Sequence, residues 1–165
     1  MSGWIRPVNY CKTARKGHVM IMLQMVAQFV ATIACGLFSG AAIYINLVEH
    51  PARMECGTEL AATVFTPSYR RAAIMQASLA ALGFLCAVIA WLAGGTLWWL
   101  VGGLLLGLII PFTLLVVMPI NQQLLSPTLD RTSSHTRELL MRWGQLHAVR
   151  SILSFVALVI FLVSA

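Results

Sequence analysis

Towards the C-terminus, the stretch "LLMRWGQLHAVR" sets Trp143, His147 and Arg150 at spacings of four and three. On a helix turning about 100° per residue, these three share one stripe. An imidazole and a guanidinium so placed can move a proton, donate hydrogen bonds and hold an anion. A second polar group, Asn46, Glu49 and His50 in "INLVEHP", occupies one side of another helix, which Pro51 is expected to end. "MPINQQLL" adds Asn121, Gln122 and Gln123. "FTPSYRRAAIMQ" adds Tyr69, Arg70 and Arg71 and, deeper, Gln76.

The elements that must position these residues are apolar. The chain has 165 residues, of which 59% are hydrophobic and only 10% charged, with a mean hydropathy of +0.85. An ordinary soluble domain carries about 25% charged residues. So few charges cannot cover the apolar surface of a soluble fold, and the lipid bilayer is the expected solvent and partner. The net charge of +6 forms no dense basic run. Its placement before the first apolar stretch and near helix ends suits anionic headgroups rather than nucleic acid. Cys11, Cys35, Cys56 and Cys86 show no metal-type or C-x-x-C spacing, and Cys35 and Cys86 are read as packing residues.

The expected fold is all-α, an integral membrane four-helix bundle running up-down-up-down. A basic segment over 1–18 precedes spans at about 19–50, 67–93, 97–120 and 137–164. Thr66 and Pro67 read as the N-cap and first residue of span two, and "AGGT" at 93–96 as a tight turn. Gly36/Gly40 and Gly103/Gly107 are small-xxx-small pairs, open to close helix approach or to simple tolerance of glycine. The first apolar run is far longer than the ~7–15 residue core of a signal peptide, so it is read as a retained helix. Arg6, Lys12, Arg15 and Lys16 favour cytoplasmic N- and C-termini, against arginines at 53, 70, 71, 131, 137 and 142 on the other side, and the expected host is a bacterial inner membrane.

In that topology nearly every unusual polar residue falls at one bundle end, where the C-termini of spans one and three meet the N-termini of two and four. Arg150 lies about two turns inside an apolar helix. An arginine at a helix centre costs at least ~2.5 kcal/mol, so it faces the bundle interior or snorkels to the headgroups. Glu49 is its expected partner. His50 and His147 are open to three roles: a polar network, acid–base or substrate contact, or ligation of a metal or haem. Trp143 is either an interfacial anchor, as Trp98 and Trp99 are expected to be at the other face, or a cavity wall.

"YINLVEHPARMECGT", "FTPSYRRAAIMQASLA", "MPINQQLL" and "RWGQLHAVRSIL", in this order over roughly residues 30–160, resemble the anthrone oxygenase-like family, long classed as a domain of unknown function. The resemblance implies a small four-helix membrane protein. Some members are linked to oxidation of anthrones to anthraquinones, while most have no established activity. It maps the family's recurring polar positions onto Asn46, Glu49, His50, Asn121, Trp143, His147 and Arg150.

The implied activity is an oxidoreductase needing no cofactor and acting on a flat, lipophilic aromatic molecule. His147 or His50 would be the base, with Glu49 beside them, and Arg150 the anion stabiliser. Asn46, Asn121, Tyr69 and Gln76 would contact substrate, with Trp143 as a stacking wall. The contrasting expectations are a non-enzymatic binder or assembly partner with a structural Glu–Arg–His clasp, and a haem or metal protein using His50 and His147.

Overall fold

The computed structural model describes residues 8–165, with side chains described from Arg15 onward. Arg6 and the side chains of Cys11 and Lys12 lie outside the described residues. Four helical rods make up the fold. Rod one joins α1 (Val8–Tyr44), a π-helical turn at Ile45–Glu49 and α2 (His50–Glu55); rod two is α3 (Thr58–Leu92). Rod three joins α4 (Leu97–Phe112), a π-helical turn at Thr113–Val117 and α5 (Met118–Leu124), and rod four is α6 (Ser134–Ser164). No strand occurs among the described residues. A span needs about 20 residues. All four rods are long and apolar enough to cross a membrane, so the chain is an integral membrane protein.

The side chains are sorted for lipid. Met22, Phe29, Ile74, Leu115 and Val163 point outward, 68–84% exposed. The interior takes small residues instead, with Ala31, Ala42, Ala87, Ala90 and Ala157 fully buried. Lipid is as apolar as leucine, so burying large apolar groups gains little in a membrane. Close approach of backbones over small residues holds the helices together instead. The rods form a ring in which each packs on the next and the fourth returns to the first, with sparse diagonal contact.

Two apolar clusters stack along the bundle. The larger includes Phe38, Ala80, Leu106, Ile109, Phe161 and Trp99. The second, from the other end, includes Ile45, Phe65, Val117, Ile120, Leu140 and Trp143. Trp99 is not the interfacial anchor expected. It is fully buried, stacked on Phe161 at 5.0 Å, and donates its indole N–H to the Ser164 carbonyl at 3.2 Å. Trp98, 60% exposed, faces outward.

Prolines do not end the helices where the sequence suggested. Pro51 lies within α2, and rod one continues to Glu55. Pro67 lies inside α3, which starts nine residues earlier, at Thr58, so Thr66 is not its N-cap. Breaking a helix in hydrocarbon strands backbone polar groups, whereas a proline removes a single N–H and crowds one carbonyl. At Pro51 and Pro119 the crowding falls against a widened π-turn just before the proline. The chain turns instead at Gly57, where φ is +97°, and in "AGGT" at Gly94, where φ is +109°; only glycine adopts such angles without strain.

The two glycine pairs separate. A Cβ on Gly103 would lie 2.8 Å from that of Ala87, and one on Gly107 2.9 Å from the Phe84 ring, so this pair lets rods two and three meet closely. Gly36 and Gly40 face space, with nothing nearer than Leu158 at 3.8 Å. Gly107→Ala is expected to lower stability by about 1–3 kcal/mol through overpacking. Gly40→Ala is expected to be neutral or to stabilise by up to ~1 kcal/mol through helix propensity. Thermal unfolding of both variants in one detergent checks the contrast.

Candidate functional site

Between the two apolar clusters lies a cavity of about 160 Å³ reached by all four rods. Its walls are mostly apolar, with Phe38 and Ile45 from rod one, Phe65 and a run of alanines from rod two, Ile109 and Leu114 from rod three, and Trp143 from rod four. Glu49, Arg53, Ser68, Tyr69, Gln76, Thr113, His147 and Arg150 bring polar groups to it. An engineered apolar cavity of about 150 Å³ binds benzene, so the enclosed space takes one ring of a planar aromatic ligand, and a fused-ring ligand extends into the open part of the pocket.

Arg150 neither snorkels nor pairs with Glu49. It is 7% exposed, and its Nη2 donates to Gln76 Oε1 at 2.6 Å, with the guanidinium carbon 5.7 Å from the Phe38 ring centre. Glu49 instead accepts a hydrogen bond from Ser68 at 2.8 Å and faces Arg53 Nη1 at 3.7 Å. The reason is register. Because rod one continues past Pro51, Glu49 and Arg53 stand one helical turn apart on the same rod. Gln76 lies two turns past Tyr69 on α3 and so reaches the deeper level of Arg150.

His147 is 1% exposed, and its Nδ1 lies 2.6 Å from Asn46 Oδ1. Two further bonds assign its tautomer. Asn46 Nδ2 donates to the Gly144 carbonyl at 3.0 Å, and Ser151 Oγ donates to Asn46 Oδ1 at 2.7 Å. The oxygen of Asn46 must therefore face His147, so Nδ1 carries the hydrogen and Nε2 keeps its lone pair. Asn46 is thus an orienting residue behind the histidine and does not line the cavity. Asn121 plays a matching part. Its Oδ1 accepts from Trp143 Nε1 at 2.9 Å, and its Nδ2 donates to Tyr69 Oη at 3.1 Å, so it fixes two cavity walls from outside.

The remaining candidates divide. Tyr69, Gln76, Glu49 and Trp143 line the cavity. Trp143 is 5% exposed and is no interfacial anchor. His50 does not line the cavity. Its ring packs against Trp143 at 5.3 Å between centres, while Trp143 also contacts His147 at 4.8 Å. Among the described residues, no three His, Cys, Asp or Glu side chains gather as a metal site would require. Gln122 and Gln123 are exposed.

Sequence reading missed Arg53, Ser68, Gly144 and Ser151. Arg53, taken for a loop charge, is 8% exposed, and its i,i+4 spacing from Glu49 was the available signal. Gly144 has a steric role: a Cβ there would lie 2.6 Å from the His50 ring.

Asn121→Leu is expected to leave the indole N–H of Trp143 without its acceptor, at a cost of about 1–3 kcal/mol. A lower unfolding temperature together with altered tryptophan emission checks it.

No curated protein and no solved structure matches the chain significantly. The sequence model described as anthrone oxygenase matches residues 65–160, which takes in Tyr69, Gln76, Asn121, Trp143, His147 and Arg150 and leaves out rod one. That match covers more than half of the 165 residues, and the chain belongs to the anthrone oxygenase family.

Proposed function

We propose that the protein is a membrane oxygenase that oxidises a flat, lipophilic, anthrone-like carbon acid without a cofactor. The observation that carries this reading is the pairing, in one mostly apolar cavity, of a histidine with a free Nε2 and an arginine with no acid partner. His147 Nε2 would take a proton from the activated methylene carbon. Arg150 would hold the oxygen that gains the charge as the carbanion delocalises into an aryl oxide. Trp143 and Phe65 would flank the ring.

The chemistry balances. The anion passes one electron to dioxygen, and the radical pair joins carbon to oxygen. The peroxide takes the proton back from His147. Loss of the second methylene hydrogen, with cleavage of the O–O bond, then leaves a quinone carbonyl and one water. Family membership supports this reaction class. The alternative of a structural Glu–Arg clasp loses its pair, because Arg150 bonds Gln76 and Glu49 bonds Ser68. The basic residues ahead of the first span, Arg15 and Lys16 among them, support a cytoplasmic N-terminus, from which four spans return the C-terminus to the same side.

Oxygen uptake by detergent-purified protein with anthrone at neutral pH, corrected for the protein-free rate, tests the reading. His147→Ala is expected to lower kcat by about 100-fold or more. Asn46→Leu should lower kcat with little change in KM, since it disturbs only the tautomer and aim of the ring. Wild-type uptake no faster than the blank, or equal rates in all three proteins, would overturn it.

A further inference from the structure

The cavity holds an imbalance of charge and of hydrogen-bond donors that exists before any proton is abstracted. Of the chain's five acidic residues, Glu55, Glu59, Asp130 and Glu138 are exposed. The fifth, Glu49, is engaged by Ser68 and by Arg53. Residues 1–14 contain no Asp or Glu. Arg150 therefore has no carboxylate to neutralise it, although arginine stays protonated in proteins. Its one side-chain partner is a neutral amide oxygen.

The unsatisfied atoms are donors. Arg150 Nε and Gln76 Nε2 are buried without a hydrogen-bond partner, their residues are 7% and 2% exposed, and both side chains line the cavity. Arg53 Nε is also unpartnered, but Arg53 has its counter-charge in Glu49. A buried guanidinium with no anion is strongly disfavoured, and its cost falls when an anion reaches it. The two free donors belong to side chains joined by the Arg150–Gln76 bond and lining one cavity, and a hydrogen bond from the guanidinium to an anionic oxygen is charge-assisted. The surrounding walls, Phe38, Ala80 and Ile109, admit only an apolar body behind that oxygen.

We infer that Arg150 and Gln76 form an oxyanion receptor at the inner end of the cavity, which binds planar aromatic ligands already ionised as a carboxylate or phenolate. The receptor shares its cavity with the oxygenase reading and rests on that cavity being the ligand site, but it acts in the ground state and needs no turnover. Gln76 is a specificity-determining residue in this scheme. It leaves Arg150 uncompensated until the ligand arrives.

The test is binding of anthracene-9-carboxylate and neutral 9-anthracenemethanol to the full chain in a neutral detergent, read by quenching of tryptophan emission. The carboxylate is expected to bind the wild type at least about tenfold more tightly than the alcohol, as hydrogen bonds to a charged group allow. Gln76→Glu gives Arg150 an internal acid. It should abolish that preference, the carboxylate losing more affinity than the alcohol. A measurement on the wild type alone serves as well: 2-hydroxyanthraquinone should bind more tightly as pH rises through the ionisation of its own phenol. Equal affinity for the two anthracene probes, an unchanged preference in Gln76→Glu, a pH-independent phenol, or oleate binding more tightly than the aromatic acid would each overturn the inference. Oxygen uptake plays no part in these readings, so failure of the oxygenase reaction and failure of the receptor are told apart.

Discussion

Keeping a guanidinium inside an apolar helix is the constraint on which the rest of this structure depends. Arg150 points into the bundle, 7% exposed, and could not face lipid without a large desolvation cost. The bundle answers by building a polar layer around its level, with Gln76 from rod two, Asn46 from rod one, and His147 and Ser151 from rod four itself. Apolar clusters close that layer on both sides. The second cluster exists because α2, the start of α3, α5 and the start of α6 extend the bundle past the polar level. Function-bearing groups are therefore one layer inside the protein rather than at its rim, where a short low-dielectric path strengthens every contact they make.

Rods one and three share one device. Each widens into a five-residue π-turn and then carries a proline two residues on, at Pro51 and Pro119. A turn closed by i→i+5 bonds takes one extra residue, which rotates the following face by roughly 100° relative to an unbroken α-helix. Partners sort accordingly. Asn46, early in the first turn, serves rod four through Gly144 and His147, while Glu49, at its end, serves rod two through Ser68. The same segments that relieve the prolines thus divide one polar stripe between two neighbours.

The site is layered, and its two asparagines belong to the outer layer. Each amide uses both of its ends: Asn46 on Gly144, His147 and Ser151, Asn121 on Trp143 and Tyr69. An amide with both ends engaged is held against flipping, so the ring it supports is held too. This leaves the cavity to aromatic walls and to the side chains of His147, Arg150 and Gln76.

The sequence by itself determined the class of solvent, the four apolar helices and the half of the bundle in which the polar residues gather, although it put them at the rim and not one layer inside. All three follow from local quantities, namely composition, run length and the position of charges along each run. It also singled out His147 and Arg150, because a polar stripe in an apolar helix is visible at single-residue spacing. The partnerships were decided only by the tertiary structure. Glu49 goes to Ser68 and Arg53 rather than to Arg150, His50 to the face of Trp143 rather than to the cavity, and Trp99 to the core rather than to the interface. The first two depend on where rod one really ends and on how far its π-turn rotates it, and the third on Phe161 and the Ser164 carbonyl from rod four. The first two outcomes rest on the cost of breaking backbone hydrogen bonds in lipid, a cost set by the surroundings of the chain and not by the proline that local reading takes as a stop.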